Sequence, residues 1–392
     1  MELNNSLHLA YCTNIHRGEG WQETFSALEE YVLAVKAEVA PRSRYAIGLR
    51  LGERAARELC DPVEGHLNLF RSWLEQHDCY VFTINGFPYG NFHGERVKEQ
   101  VYRPDWTSGE RLEYTKCLFD IIAELVPDGI SGSVSTLPGS FKEFITDERE
   151  QGATIIDNLA SCCQHIQKLV DKTGKDLHLG LEPEPLGWFE TSDETVAFFD
   201  KFRQCHGDRF DRVLGVNYDT CHLAVEYETP SDAIGNLLDA GIRLSKLHLS
   251  SALKLEPDAE SLRTLGQFQE DVYLHQVVAR HEDGSLTRFR DLPDALDASV
   301  AQKAAVADEW RVHFHIPLYS EPAGGLSDTR DHIEGVLDII KDDPAICSHL
   351  EMETYTWEVL PEELQCGNVV EQLGREYEWV LKQLSERGLV SV

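Results

Sequence analysis

Asp219-Thr-Cys-His222 follows the apolar run Val213-Leu214-Gly215-Val216, so a carboxylate and an imidazole leave one strand three residues apart. Similar side chains close neighbouring runs. LHLGL (177–181) is followed by Glu182 and Glu184, which share a face at the two-residue period of a strand. His248 lies in KLHLSS, and HLEMETY (349–355) presents Glu351 and Glu353 on one face. His313, His315 and Glu321 lie between those two segments. Carboxylates and imidazoles gathered in this way are the side chains that hold divalent cations.

Each residue also has a plainer reading. Glu182 could cap the following helix, Asp219 could close an Asx-turn, and His248 could be a hydrogen-bonded core histidine. His313 and His315 could simply alternate along a strand. Their placement at successive strand ends weighs against coincidence. Charged groups pointing into an enclosed site are costly unless paired or coordinated. One cation shared by Glu182, Asp219, His248 and Glu353 would relieve four such costs. Three oxygens and one nitrogen suit manganese, magnesium, cobalt or zinc.

The elements that must position these groups are legible as short apolar runs. They are LHLAYC (7–12), YAIGLRL (45–51), YVFTI (80–84), ISGSVS (130–135), LHLGL, VLGVNY (213–218), LSKLHL (244–249), VHFHIPLY (312–319) and HLEMETY. Amphipathic segments separate them, over 20–40, 66–77, 110–126, 153–172, 193–205, 231–240 and 328–341, with Thr107 and Glu110 spaced as a capping box. Strand–helix alternation repeated about eight times predicts an α/β fold, a (β/α)8 TIM barrel formed by residues 1–392 as one domain. A doubly wound open sheet is the runner-up, although no GxGxxG or P-loop opens a helix. Residues 253–311 break the rhythm, and Asp283-Gly284 between alternating runs predicts a β-hairpin, protruding over 271–292, inserted after the seventh strand. HLEMETY is then the closing strand. If VHFHIPLY closed the barrel instead, Glu321 would replace Glu353.

Composition narrows the partners. The 68 Asp and Glu against 36 Lys and Arg give a formal charge of −32, which opposes nucleic-acid and membrane-surface binding and leaves a small-molecule substrate. The ten cysteines include no CxxC pair, as expected in a reducing compartment. The opening MELNNSLHLAYCTN lacks the charged and apolar regions of a signal peptide, so a cytoplasmic location is expected. The sequence does not specify an oligomeric state.

Glu at strand five, Asp-x-x-His at strand six, His at strand seven and Glu at strand eight resemble the xylose isomerase-like TIM barrels. These include sugar isomerases, ketose 3-epimerases and endonuclease IV-type phosphodiesterases. More narrowly, YCTNIHRGE (11–19), INGFPYG (84–90), STLPGSFK (135–142), HFHIPLY (313–319) and METYTWEVLP (352–361) resemble the TIM-barrel member of the bacterial Ebo metabolite-traffic clusters. The epimerase resemblance implies that Glu182 and Glu353 both bind the metal and exchange protons with the substrate. A chelated hydroxy-carbonyl unit has an acidified C–H that such carboxylates can deprotonate and reprotonate. Glu190 is the corresponding candidate for a substrate hydroxyl, at a longer spacing from Glu182 than in the epimerases. Asn85, His93, Lys142, His275 and Trp357 are further loop candidates for substrate contact.

Three functions follow as expectations. The first is a divalent-metal isomerase or epimerase acting on a sugar, polyol or related metabolite. The second is a zinc-dependent phosphoester hydrolase, since DTCH with a later His-x-His resembles the endonuclease IV ligand pattern. The third is a metabolite-binding or traffic protein without turnover. His222, with His313 and His315, is expected either to bind a second cation or to face the substrate.

Overall fold

The computed structural model describes residues 1–390 apart from 91, 94–95, 301–306 and 363. Seven parallel strands come first: β1 (His8–Tyr11), β2 (Tyr45–Arg50), β3 (Cys79–Asn85), β4 (Gly132–Thr136), β5 (Leu177–Leu181), β6 (Leu214–Asp219) and β7 (Arg243–Leu249). Five more strands follow: β8 (Leu253–Leu255), β9 (Val277–His281), β10 (Leu286–Phe289), β11 (Ala307–Val312) and β12 (Leu326–Asp328). The last, β13 (His349–Met352), slots between β7 and β1. The sheet order β1-β13-β7-β6-β5-β4-β3-β2, with a parallel bridge from Cys12 to Gly48 at its open seam, makes a nearly closed eight-stranded barrel. Parallel strands buried on both faces need near-continuous apolar runs, and those runs are what the sequence supplies.

Gly48 sits at that seam because a side chain there has nowhere to go. A Cβ would lie 2.0 Å from Glu351 Oε1 and 2.7 Å from the Tyr11 carbonyl.

The helices between strands follow the amphipathic segments. Gly109–Leu125 is capped by Ser108, whose hydroxyl accepts from the Glu110 amide. Thr107, expected as the cap, instead donates its hydroxyl to Asp105, which fixes it one residue before the cap. Glu148–Thr173 starts at the Asp147 cap and ends where Gly174 takes a left-handed conformation.

Residues after β7 form more than a protruding hairpin. The Asp283-Gly284 turn joins antiparallel β9 and β10, but these are two strands of a five-stranded sheet ordered β10-β9-β11-β8-β12. This sheet has its own apolar cluster, including Leu253, Phe268, Trp310, Phe314 and Leu326. The segment VHFHIPLY is therefore divided. Val312 ends β11, and His313 to His315 turn away from the sheet while staying buried. Part of the expected insertion, 301–306, lies outside the described residues.

Candidate metal centre

The C-terminal ends of β5, β6, β7 and β13 bring Glu182, Asp219, His248 and Glu353 together. One ligand atom from each lies within 4.8 Å of the others, and all four residues are buried. His248 Nδ1 is 2.9 Å from Glu182 Oε1, 3.4 Å from Asp219 Oδ2 and 3.3 Å from Glu353 Oε2. Each carboxylate is anchored differently. Asp219 Oδ1 accepts from the amides of Cys221 and His222 and from the Ser250 hydroxyl. The Asx-turn expected of this residue therefore involves one oxygen only. Oδ2 has no hydrogen-bond partner, and neither does Glu182 Oε2. Glu353 Oε1 accepts from both Asn14 and Asn85 at 2.9 Å, which aims Oε2 at His248.

Electrostatics at this spot are unbalanced. Burial and the nearby Glu182, Asp219 and Glu351 outweigh the attraction of His248 and push the Glu353 carboxyl up to about 8. Burial followed by Glu182 holds Glu184 well above the usual carboxylate range. Burial disfavours charge on His248, yet Glu353 and Glu182 carry its imidazole well above its ordinary value. Three buried carboxylates facing one imidazole, with two carboxylate oxygens lacking partners, fit a divalent cation.

A layer below organises His248. Its Nε2 lies 2.8 Å from Glu351 Oε2, the same oxygen that accepts from Lys246 Nζ at 2.5 Å. Lys246 also donates to Ser135 at 3.0 Å. Lys246 was not anticipated from the sequence. Its signal was available, because a lysine inside an apolar strand two residues before His248 must share that histidine's face.

A second group adjoins the first. His222, His313 and His315 form three-residue clusters with Glu184, Asp219 and Cys221. Each ring is pinned through Nδ1 by a carbonyl acceptor: Pro183 for His222 at 3.2 Å, the Gln276 side chain for His313 at 2.8 Å, and Glu353 for His315 at 2.9 Å. A carbonyl can only accept, so each Nδ1 donates its N–H, and in a neutral ring Nε2 is then the nitrogen that keeps its lone pair. The Nε2 atoms of His313 and His315 face each other at 3.2 Å. Burial, with His222 nearby, holds His313 well below the usual imidazole range. Burial likewise takes His315 to about 4.

Above these groups opens a cleft of about 550 Å³, part of it open to solvent. Its floor is Glu182, Glu184, Glu353 and His222, with Asn14 and Asn85 beside them. Its walls are mainly apolar, from the segment after β3 (Phe87, Phe92, Val97), the insertion (Tyr273, Leu274) and Tyr355. Asn14, Tyr273 and Tyr355 were not singled out beforehand.

Other expected contacts lie elsewhere. Glu321 is exposed, because VHFHIPLY does not close the barrel. Glu190 and Lys142 pair with each other, and Arg288 from β10 closes on Glu190 Oε2 at 3.2 Å, so neither lines the cleft. His275 bonds Glu270 and the His313 carbonyl and stacks on Phe314. His93 stands behind the wall, bonded to the Tyr273 hydroxyl at 2.7 Å and to the Asn14 carbonyl. Trp357 packs, partly buried, against both apolar clusters.

No protein-family model and no curated protein matches the sequence. Solved structures do match the fold. A D-tagatose 3-epimerase-like protein superposes with a TM-score of 0.50 at 11% identity, covering 97% of this chain and 98% of that one. A xylose isomerase domain protein from Planctomyces limnophilus gives 0.51 at 11% identity, covering 98% of each chain.

Proposed function

Starting from a chain whose fold is the xylose isomerase-like TIM barrel, we propose that it is a divalent-metal-dependent isomerase or epimerase. In this reading it moves a proton next to a carbonyl of a small hydroxylated metabolite. The observation that carries the reading is the convergence of Glu182, Asp219, His248 and Glu353 around unpartnered carboxylate oxygens at the floor of a cleft. These four residues would hold the cation, with Asp219 Oδ2 and Glu182 Oε2 supplying oxygens that nothing else occupies. The bound ion would supply positive charge that polarises the substrate carbonyl and acidifies the adjacent C–H.

The chain's own groups do the rest. Glu353 would present Oε2 to the substrate as the group that takes and returns the proton. Asn14 and Asn85 fix Oε1 and so orient that oxygen. Glu182 is the partner carboxylate from the opposite sequence end of the ligand set. The buried floor and apolar walls limit access of water to the transferred proton.

The test is metal analysis of the purified protein, followed by proton NMR of an α-hydroxyketone incubated with it in D2O. About one bound manganese, cobalt or magnesium and loss of the C–H signal, abolished in Glu353→Gln, support the reading. A protein with no metal affinity and no exchange overturns it.

The three inward Nε2 lone pairs favour a second reading. His222, His313 and His315 would hold a second cation, with Asp219 or Glu184 completing the set, and the activity would be phosphoester hydrolysis. Two tightly held zinc ions and turnover of a phosphodiester would select it.

A further inference from the structure

We infer that the substrate is uncharged and carries an apolar ring or comparable hydrophobic group on its hydroxy-carbonyl end. The inference rests on the isomerase reading for the reacting end and deepens it for the remainder of the molecule.

The first support is what the walls lack. Among the described residues lining the cleft, Lys98 is the single cation, and its ammonium is already held by Asp291 Oδ2 at 2.7 Å and the Glu270 carbonyl at 3.0 Å. A phosphorylated sugar would find no free lysine or arginine there to pair its phosphate. Several of the hydrogen-bonding groups around the cleft are committed as well. Asn85 uses Nδ2 on Glu353 and Oδ1 on the Phe87 amide. Gln276 uses Nε2 on the Pro185 carbonyl and Oε1 on His313. The Tyr273 hydroxyl is bonded to His93. Among the described residues, Asn14 Oδ1, Glu184 Oε1 and the Tyr355 hydroxyl are lining oxygens without a hydrogen-bond partner. A free sugar with several hydroxyls would leave most of them unpaired on entering.

The second support is what the walls offer. Phe92, Tyr273 and Tyr355 come from three separate segments, yet their ring centroids lie 5.0 to 5.3 Å apart. Phe87 and Tyr102 add another edge-on pair at 5.6 Å. Rings at these separations and angles present faces and edges on which an aromatic or alicyclic group packs well. Cation below and apolar surface above divide the cleft into a reacting floor and a hydrophobic wall.

The experiment is calorimetric titration of the manganese-loaded protein with four probes. Hydroxyacetone has the hydroxyketone alone, 2-hydroxyacetophenone adds a phenyl ring, dihydroxyacetone phosphate adds a phosphate, and acetophenone keeps the ring without the hydroxyl. The expected result is that 2-hydroxyacetophenone binds at least about tenfold tighter than hydroxyacetone, as burial of a ring requires. Dihydroxyacetone phosphate gains nothing. Tyr273→Ala, with Phe92→Leu as a milder second variant, narrows the ring advantage while metal content stays the same. Equal affinities for hydroxyacetone and 2-hydroxyacetophenone, tighter binding of the phosphate, or no binding of any ring-bearing probe overturns the inference. Failure of the isomerase reading would look different. Acetophenone and 2-hydroxyacetophenone would then bind alike, with or without manganese, and the ring preference would survive.

Discussion

Glu351 Oε2 meets His248 Nε2 at 2.8 Å, and this contact decides which imidazole nitrogen faces Glu182, Asp219 and Glu353. A carboxylate accepts only, so Nε2 carries a proton here and Nδ1 is the nitrogen turned to the site. Replacing Glu351 by glutamine keeps the size but weakens the acceptor and leaves Lys246 without its carboxylate. Manganese affinity should fall about 10- to 100-fold, read by competition with a chelating dye. Thermal melting of the metal-free variant shows how much of the effect is lost stability. An unchanged affinity would mean that Glu351 serves the barrel core alone.

Glu182→Gln removes one of three carboxylates facing His248 and should lower metal occupancy sharply, by tenfold or more in affinity, about 1.4 kcal/mol per factor of ten. Metal analysis after dialysis against a weak chelator measures it. Retained stoichiometry and affinity would point to Glu184 as the ligand from the end of β5.

Gly48→Ala places a methyl 2.0 Å from Glu351 Oε1 and 2.7 Å from the Tyr11 carbonyl. The carboxylate must move, and the backbone at the seam cannot. The expected outcome is destabilisation of about 1–3 kcal/mol together with weaker metal binding. Denaturant melts with and without manganese separate the two effects. A variant with wild-type stability would contradict the fit described for this seam.

His315→Ala tests the second cation independently of the first. It removes one of the three inward Nε2 lone pairs but none of the four residues around His248. Under the hydrolase reading, zinc stoichiometry drops from two to one. Under the isomerase reading, stoichiometry stays at one and only ligand binding weakens. Elemental analysis decides between them.

Glu376 offers a pH test away from the candidate metal centre. Burial pushes its carboxyl up to about 8, and its Oε1 accepts from the Leu318 amide at 3.4 Å. With the folded value raised above the ordinary 4.5, the folded state binds the proton more tightly. Its contribution is full below about 4.5 and is lost as pH rises through about 8. Between pH 6 and pH 9 the wild type should lose stability on the order of a few kcal/mol. Glu376→Gln should flatten that dependence in denaturant titrations. A variant with the same pH slope as the wild type would remove Glu376 as its source.

By itself the sequence determined the barrel and the polar groups at its strand ends. Both are written at short range: apolar runs of strand length, amphipathic segments between them, and a charged residue where each run stops. The period-two spacing also placed Glu351 and Glu353 on a shared face before any fold was known. The tertiary structure decided what depends on contacts between distant segments. That VHFHIPLY leaves the barrel is fixed by antiparallel pairing of β11 with β8 and β9, a choice its own alternation does not encode. The same pairing carries His313 and His315 to His222 and leaves Glu321 exposed. Glu190 and Lys142 were reasonable substrate contacts from position alone, until Arg288 arrived from a strand almost a hundred residues on to close against Glu190. The aromatic wall was equally hidden, because Phe92, Tyr273 and Tyr355 meet only once the insertion packs over the mouth. Local periodicity encodes an element and its faces, whereas the composition of a site is set by which faces the packed chain brings together.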